Sequence, residues 1–176
     1  DLTVIYGGPP SANDDLDYIK YEIDWISKVL DSNKPFLGIC LGAQMLAKNL
    51  GGSVQKSHDL TLEIGFFDID PTGDGHKMFQ SQKKFFQWHR EGFTVPKSCE
   101  ILANGDLFRE QAFRYKNALA IQFHPEVNLK MHLRWLYYAG YMLKEKGAQN
   151  RREQLTHRLK HGKKINLWLD SFLDNY

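Results

Sequence analysis

The stretch FLGICLGAQ, residues 36–44, contains a strand, a tight turn and the beginning of a helix. Phe36 to Ile39 is a short apolar run, which predicts a buried strand. Gly42 to Leu50 has its apolar residues on one helical face, and Gly51 and Gly52 end this helix. A buried strand that passes directly into a helix is typical of α/β folds.

The residues before this stretch show the same order of elements. Leu2 to Tyr6 is rich in β-branched and aromatic residues, and the glycines and prolines at positions 7–10 end it. From Asp17 to Leu30, apolar residues recur every three or four positions, which indicates an amphipathic helix. Strand, helix, strand and helix in this order predict a parallel sheet with right-handed crossovers.

The middle of the chain, from Ser53 to Ile121, has short apolar runs separated by turn residues, which predicts hairpins and sheet edges. These runs are Leu62 to Ile69, Phe85 to Trp88, Gly92 to Val95, Ile101 to Ala103, Gln111 to Tyr115 and Ala118 to Phe123. Helical periodicity returns at Leu129 to Lys146 and at Arg151 to about Asp174. Residues 1–176 are therefore predicted to form a single three-layer α/β domain, with a mostly parallel central sheet flanked by helices.

The composition is that of an ordinary globular domain, with 42% hydrophobic and 25% charged residues. The 23 basic and 21 acidic residues leave a formal charge of +2, which gives no general reason to expect binding to nucleic acid or to a membrane. The two cysteines, Cys40 and Cys99, form no disulfide framework, which favours a reducing compartment. No run has the pattern of a transmembrane span or a secretory leader, so a cytoplasmic location is expected.

Cys40 lies in the pattern Gly-x-Cys-x-Gly at the junction of the predicted strand and helix, which has the form of a nucleophile elbow. Because the turn is tight, Gly38 and Gly42 are expected where a Cβ would clash. The helix N-terminus carries partial positive charge and favours a thiolate over a thiol. A lone cysteine is more often a small buried apolar residue. The elbow argues against that role for Cys40, whereas Cys99 has no such context and is expected to be structural.

His124 and Glu126, in the sequence FHPE, are the candidates for a general base and for the residue that orients it. His124 follows the predicted strand Ala118 to Phe123, so it is expected at the same sheet edge as Cys40. Pro125 stiffens the turn, and Glu126 is placed to hold the second imidazole nitrogen. A histidine before proline is by itself more often a surface residue, and only its position after a sheet strand favours a catalytic role.

Acyl transfer also needs hydrogen-bond donors for an oxyanion. The N–H of Leu41, which follows the nucleophile, is the expected first donor. The loop Gly7-Gly8-Pro9 is expected to supply the second, because glycine lets the backbone approach a substrate closely. An ordinary tight turn has the same composition, so this loop is supporting evidence only.

Taken together, these motifs resemble class I glutamine amidotransferases. The matching stretches are, in the family's order, GGP (Gly7 to Pro9), GICLGAQ (Gly38 to Gln44) and HPE (His124 to Glu126). The segments QWH (Gln87 to His89) and QAFRY (Gln111 to Tyr115) further resemble the stand-alone branch that is similar to GMP synthetase. The resemblance covers nearly the whole chain, and it implies the flavodoxin-like α/β fold of that family.

The resemblance implies hydrolysis of the glutamine side-chain amide. Cys40 would attack this amide, ammonia would leave, and water would release glutamate from the γ-glutamyl thioester. His124 would act as base and then as acid, and Glu126 would orient it. Gly8 and Leu41 would supply the oxyanion N–H groups. The seven histidines show no metal-ligand spacing, and the sequence has no phosphate-binding glycine loop, so no cofactor and no metal are expected.

Residues around the implied substrate pocket are less distinctive. Gln44 matches a family position that contacts bound glutamine. His89 lies in a segment that borders the site in relatives, although a loop histidine beside Trp88 is an equally good interpretation. Many relatives have an aspartate two residues after this histidine, where this chain has Glu91 preceded by Arg90. The difference is expected to affect which substrate is accepted at the pocket mouth.

Two parts of the resembled architecture lie outside the sequence. Relatives have a further strand–helix–strand portion before the GGP strand, whereas this chain begins inside that strand, so a truncated N-terminus is expected. A sheet edge and part of the glutamine pocket depend on that portion. No domain that would use ammonia follows, so a synthetase partner chain is expected to accept it.

Two other functions are left open by the sequence. A γ-glutamyl peptidase or hydrolase would use the same triad and the same acyl group, with a different leaving amine. A non-catalytic scaffold would keep the fold and use the long C-terminal helix as an interface, but the intact Cys40, His124 and Glu126 argue against it. The sequence also leaves open whether the protein forms a homodimer.

Overall fold

A computed structural model describes residues 1–80 and 82–174 of the chain. The strands in this part are β1 (Thr3–Ile5), β2 (Phe36–Ile39), β3 (Ser53–Lys56), β4 (Glu63–Asp68), β5 (Asp70–Pro71), β6 (Lys84–His89), β7 (Glu91–Thr94), β8 (Glu100–Asn104), β9 (Glu110–Tyr115) and β10 (Ala118–Ile121). The helices are α1 (Asp17–Asp31), α2 (Leu41–Asn49), α3 (Gly75–Met78), α4 (Leu129–Tyr138) and α5 (Arg151–Asp174), with a 3-10 helix at Gly140–Lys144. None of these helices is both long and apolar enough to cross a membrane.

The central sheet places the ends of three parallel strands side by side. Strand β2 lies between β1 and β10 and pairs in parallel with both. Ile5 lies opposite Gly38, and Ile121 lies opposite Ile39, so the three strands end at the same edge. Residues that directly follow these strands are therefore brought together, although they are far apart in the chain.

The rest of the sheet is antiparallel. Beyond β10 the order continues through β9, β7 and β3, while β8 pairs with β9 and with β5, and β4 and β6 form a separate two-stranded sheet. Strands β9 and β10 are joined by residues 116–117 alone, too short a connection for the crossover that parallel strands need. The predicted α/β architecture with flanking helices is confirmed, but the prediction of a mostly parallel sheet is wrong: among the described strands of the central sheet, only the pairs β1–β2 and β2–β10 are parallel, so the sheet is mixed.

Two apolar clusters hold the layers together, one on each face of the sheet. The first contains aromatic side chains of the sheet and the indole of Trp168 on α5; Phe85 stacks on Phe123 at a centroid distance of 4.1 Å. The indole N–H of Trp168 donates to the Met78 carbonyl oxygen at 2.8 Å, which anchors α5. The second cluster lies between the sheet and helices α1 and α2, with Ile26 and Leu46 fully buried. Helix α5 is thus part of the core.

The predicted helix at Leu129 to Lys146 is wrong in its second half. Helix α4 ends at Tyr138, and a 3-10 helix begins at Gly140. The guanidinium of Arg151 donates to the Leu136 carbonyl oxygen at 2.8 Å, so a side chain from α5 satisfies one of the carbonyls at this helix end. Glycine is also a poor helix former, which makes the end at this point less costly.

Candidate active site

Cys40 lies in a strained turn between β2 and α2, with φ 51° and ψ −103°. This positive φ is costly for a residue other than glycine, and such strain is concentrated at functional sites. A Cβ built on Gly42 would lie 2.2 Å from the Ile5 carbonyl oxygen, so no larger residue fits there. The Cys40 N–H donates to the Ile121 carbonyl oxygen at 2.8 Å, which ties the turn to β10. The tight turn that the sequence predicts is therefore present.

His124 lies at the same sheet edge, three residues beyond the end of β10. Its backbone N–H donates to the Phe86 carbonyl oxygen at 2.8 Å. Its Nδ1 lies 2.7 Å from Oε1 of Glu126, so this nitrogen donates to the carboxylate. The edge of Trp135 packs against the imidazole at a centroid distance of 5.0 Å and an angle of 90°. The ring is thus held by a backbone bond, a carboxylate and an aromatic wall.

The electrostatics couple His124 to both of its neighbours. Burial alone lowers the pKa of His124, but the charges of Glu126 and Cys40, with hydrogen bonds to both side chains, outweigh burial and raise the pKa to about 10. The imidazolium form of His124 is therefore favoured at neutral pH. A thiolate, a histidine that can donate a proton and a carboxylate that orients it are the groups that acyl transfer requires.

Gly7 lies directly against the two central side chains. A Cβ built on it would lie 2.6 Å from His124 Cε1 and 3.2 Å from Cys40 Cβ. The sequence predicts an oxyanion role for this loop but not this steric role, for which the paired glycines are the only local signal. Gly8 lies next to Leu41, since a Cβ on Gly8 would be 3.2 Å from Leu41 Cδ2. The structure thus brings the two predicted oxyanion residues together.

Gln44 and His89 meet at one backbone group. The amide of Gln44 donates to the Glu91 carbonyl oxygen at 2.9 Å and lies 3.3 Å from Gln122 Oε1. His89 Nδ1 donates to the same Glu91 oxygen at 2.9 Å. The carboxylate of Glu91 accepts from the Ser11 hydroxyl at 2.6 Å. Both predicted pocket residues are buried, and both fix the position of Glu91.

His89 is also part of a buried polar network that is not predicted from the sequence. Its Nε2 lies 3.0 Å from Glu63 Oε2 and 3.1 Å from Gln87 Oε1. The amide of Gln87 donates to Gln111 Oε1 at 2.8 Å, which fixes its orientation, and Gln111 donates to Glu63 at 2.9 Å. All ring partners of His89 are therefore acceptors: the Glu91 carbonyl oxygen, the Glu63 carboxylate and the amide oxygen of Gln87. The sequence signals are the segments QWH and QAFRY, which contain three of the four residues, and a carboxylate within an apolar run.

Replacing Glu63 with alanine is expected to lower the free energy of unfolding by about 1–3 kcal/mol, because it leaves buried donors of His89 and Gln111 without their acceptor. The matched control is Glu100→Ala, which removes a carboxylate that pairs with Arg114 and is 41% exposed. This control is expected to cost less than about 1 kcal/mol. Urea unfolding curves of both variants measure the difference. Equal losses would show that the Glu63 pair contributes nothing beyond an exposed one.

Among residues 1–80 and 82–174, no group of three or more His, Cys, Asp or Glu side chains is arranged to hold a metal ion. Cys40 and His124 are 6% and 2% exposed. Both side chains are therefore almost fully buried, in surroundings where electrostatic interactions are stronger than in water.

Comparison with known proteins gives one consistent group of matches. The family model described as "Glutamine amidotransferase class-I" matches residues 1–139. The chain is 33% identical over 135 residues to a glutamine-hydrolyzing GMP synthase subunit of Methanobrevibacter smithii, an alignment that covers 72% of the chain and 65% of that relative. It is 32% identical over 133 residues to gamma-glutamyl peptidase 4 of Arabidopsis thaliana, covering 71% and 53%.

A solved structure supports the same grouping over a longer part of the chain. A crystal structure of a glutamine amidotransferase from Thermotoga maritima superimposes with a TM-score of 0.85 at 31% identity. It covers 98% of this chain and 77% of the solved one. The chain therefore spans about two thirds to three quarters of the length of the first relatives it matches.

Proposed function

Because the chain belongs to the class-I glutamine amidotransferase family, we propose that it hydrolyses the side-chain amide of glutamine through a triad of Cys40, His124 and Glu126. The observation that carries this proposal is the contact of 2.7 Å between His124 Nδ1 and Glu126 Oε1, which leaves the other imidazole nitrogen for Cys40. A nucleophile, a base and an orienting group then stand in the order that covalent acyl transfer uses.

The reaction proceeds in two acyl-transfer steps. The Cys40 thiolate attacks the amide carbon, and the developing oxyanion accepts hydrogen bonds from the N–H groups of Gly8 and Leu41. The imidazolium of His124 gives its proton to the leaving nitrogen, and the C–N bond breaks to release ammonia and leave a γ-glutamyl thioester. His124 then takes a proton from water, which attacks the thioester and releases glutamate and the thiolate.

Gln44, His89 and Glu91 form the wall that would orient the substrate. Gln44 and His89 both donate to the Glu91 carbonyl oxygen, which supports a role in shaping this wall. The Glu91 carboxylate, held by Ser11 at 2.6 Å, is partly exposed and is suited to recognise a cationic group such as the α-ammonium of a glutamyl substrate.

A synthetase partner is proposed as the acceptor of the ammonia. Support comes from the relative in Methanobrevibacter smithii, whose name describes the glutamine-hydrolyzing subunit of a GMP synthase. The proposed place of the protein is therefore in glutamine metabolism, as the component that supplies nitrogen.

The second candidate function is a γ-glutamyl peptidase that uses the same triad. The similarity to gamma-glutamyl peptidase 4 favours it. Both reactions pass through the same thioester and differ only in the leaving amine, so the geometry of the triad does not distinguish the two functions.

We expect the purified protein to release glutamate and ammonia from glutamine in equal amounts. The measurement is turnover of a panel that contains glutamine, γ-glutamyl dipeptides and γ-glutamyl anilides, with and without a candidate synthetase. A higher kcat/KM for γ-glutamyl peptides than for glutamine would favour the peptidase. Absence of turnover for the entire panel would contradict both proposals and favour a non-catalytic scaffold.

A further inference from the structure

Helix α5, which lies beyond the residues that the family model matches, carries a buried arginine. Arg158 is 4% exposed, and its guanidinium carbon lies 4.9 Å from the ring centroids of both Phe66 and Phe86. Its Nη1 and Nη2 are buried and have no hydrogen-bond partner among the described residues. A buried cation with two unpaired donors costs free energy of folding, so its presence requires an explanation.

The nearest polar side chain does not neutralise this cation. Arg158 Nε donates to His132 Nδ1 at 3.3 Å, and His132 Nε2 lies 2.9 Å from Gln154 Oε1. The amide nitrogen of Gln154 donates to the Gln149 carbonyl oxygen at 2.7 Å, which fixes the amide and makes His132 Nε2 the donor. Burial lowers the pKa of His132 to about 4. His132 is therefore neutral, and the charge of Arg158 acts on other groups.

Glu126 is the anion on which this charge acts. Its Oε1 accepts from His124, whereas its Oε2 is buried and has no hydrogen-bond partner in the part of the chain that the structure describes. Burial lowers the pKa of Arg158 to about 10, and the charge of Glu126 opposes that shift, so the two groups interact electrostatically.

Phe86 joins Arg158 to the triad. Its ring packs on Arg158 and, at 5.9 Å, on Trp135, the residue that packs against His124. Its carbonyl oxygen accepts the His124 N–H. Arg158 and the triad histidine thus share one aromatic support, so a rotation of either is resisted by the same packing.

We infer that Arg158 is a positioning residue of the triad: its buried charge, held against Phe86, acts on Glu126 and favours the orientation in which this carboxylate accepts from His124. The inference deepens the proposed function, on which its catalytic meaning rests. The family-matched part of the chain supplies the reacting groups, and α5 supplies the positive charge that acts on the orienting carboxylate of Glu126.

Removal of the Arg158 charge is expected to shift the pH dependence of Cys40 reactivity in one direction. Removing the positive charge makes proton binding to Glu126 more favourable, and a protonated Glu126 would no longer stabilise the His124 imidazolium beside Cys40. The titratable groups that the described contacts and charges place near Arg158 are Glu126 from the turn after β10, His132 from α4 and His157, which packs on the same Phe66 ring. The reactive form of Cys40 should therefore require a higher pH when the cation is removed.

The test is the rate of Cys40 alkylation by iodoacetamide as a function of pH, in a Cys99→Ser background. Arg158→Met is expected to move the acid-side midpoint upward by about one pH unit, the size of a common pKa shift in folded proteins. Arg158→Lys keeps the charge and should leave the midpoint unchanged. The matched control is Arg152→Met, which removes an exposed charge from the same helix and should have no effect.

Two further variants make the test decisive. In a Glu126→Gln background, Arg158→Met should add no shift, because the charge on which Arg158 acts is gone. Arg158→Gln replaces Arg158→Met if the methionine variant does not fold, as judged by thermal unfolding. A folded Arg158→Met or Arg158→Gln variant with the wild-type midpoint would overturn the inference. A shift in Arg158→Lys as large as that in Arg158→Met would also overturn it.

Alkylation requires no glutamine, so the two proposals can fail separately. A wild-type protein that hydrolyses no substrate but shows the shift would retain the positioning role and refute the proposed function. A protein that hydrolyses glutamine but shows no shift would support the proposed function and refute the positioning role of Arg158.

Discussion

Replacement of Cys40 by alanine is expected to lower glutamine hydrolysis by roughly 10⁵-fold or more, the size seen when a nucleophile that works as part of a triad is removed. Without the thiolate no thioester forms, and the oxyanion donors alone leave only slow attack by water. The measurement is single-turnover and steady-state release of glutamate, with ammonia determined in parallel. Retention of even about 1% of the activity would contradict the covalent mechanism.

The control for this change is Cys99→Ala. Burial raises the pKa of the Cys99 thiol, which favours its protonated, unreactive form, and Cys99 packs at the edge of the second apolar cluster. Full activity is expected in this variant.

A Cys40→Gly variant adds a structural check. Since Cys40 has φ 51°, the free energy of unfolding of the Cys40→Gly protein should exceed that of the Cys40→Ala protein by about 1 kcal/mol.

Gly7→Ala is expected to lower kcat by at least about 10²-fold, because a displacement of about 1 Å in an active site can have that cost. The added Cβ would lie 2.6 Å from His124 Cε1, closer than carbon atoms approach without a bond, so the imidazole or the loop must move. Since Gly7 has an ordinary negative or extended φ, the backbone itself tolerates alanine, and the effect isolates side-chain displacement.

The matched control is Gly140→Ala, outside the site, where the new Cβ would lie 3.3 Å from the end of the flexible Arg151 side chain. This control is expected to keep wild-type kcat. The variants are compared by kcat, by KM and by the alkylation rate of Cys40. A Gly7→Ala protein with kcat within about two-fold of wild type would show that Gly7 does not position His124.

Local pattern was sufficient for the elements that position the nucleophile. The apolar run at Phe36–Ile39 and the helical spacing at Asp17–Asp31 were both predictable, because each forms from neighbours in the chain and buries one continuous face. The end of α4 at Tyr138 could not be predicted, because the Arg151 guanidinium that donates to the Leu136 carbonyl oxygen comes from another helix.

The sequence by itself determined the α/β class, the tight turn at Cys40 and the pairing of His124 with Glu126, because each depends on residues within a few positions of one another. Only the tertiary structure decided that Gly7 touches both Cys40 and His124, that His89 pairs with Glu63 and that Arg158 is buried against Phe66 and Phe86. These contacts join residues from different strands and helices. Periodicity shows which face of an element is buried, but the register between elements and the partners of a buried charge are set by packing.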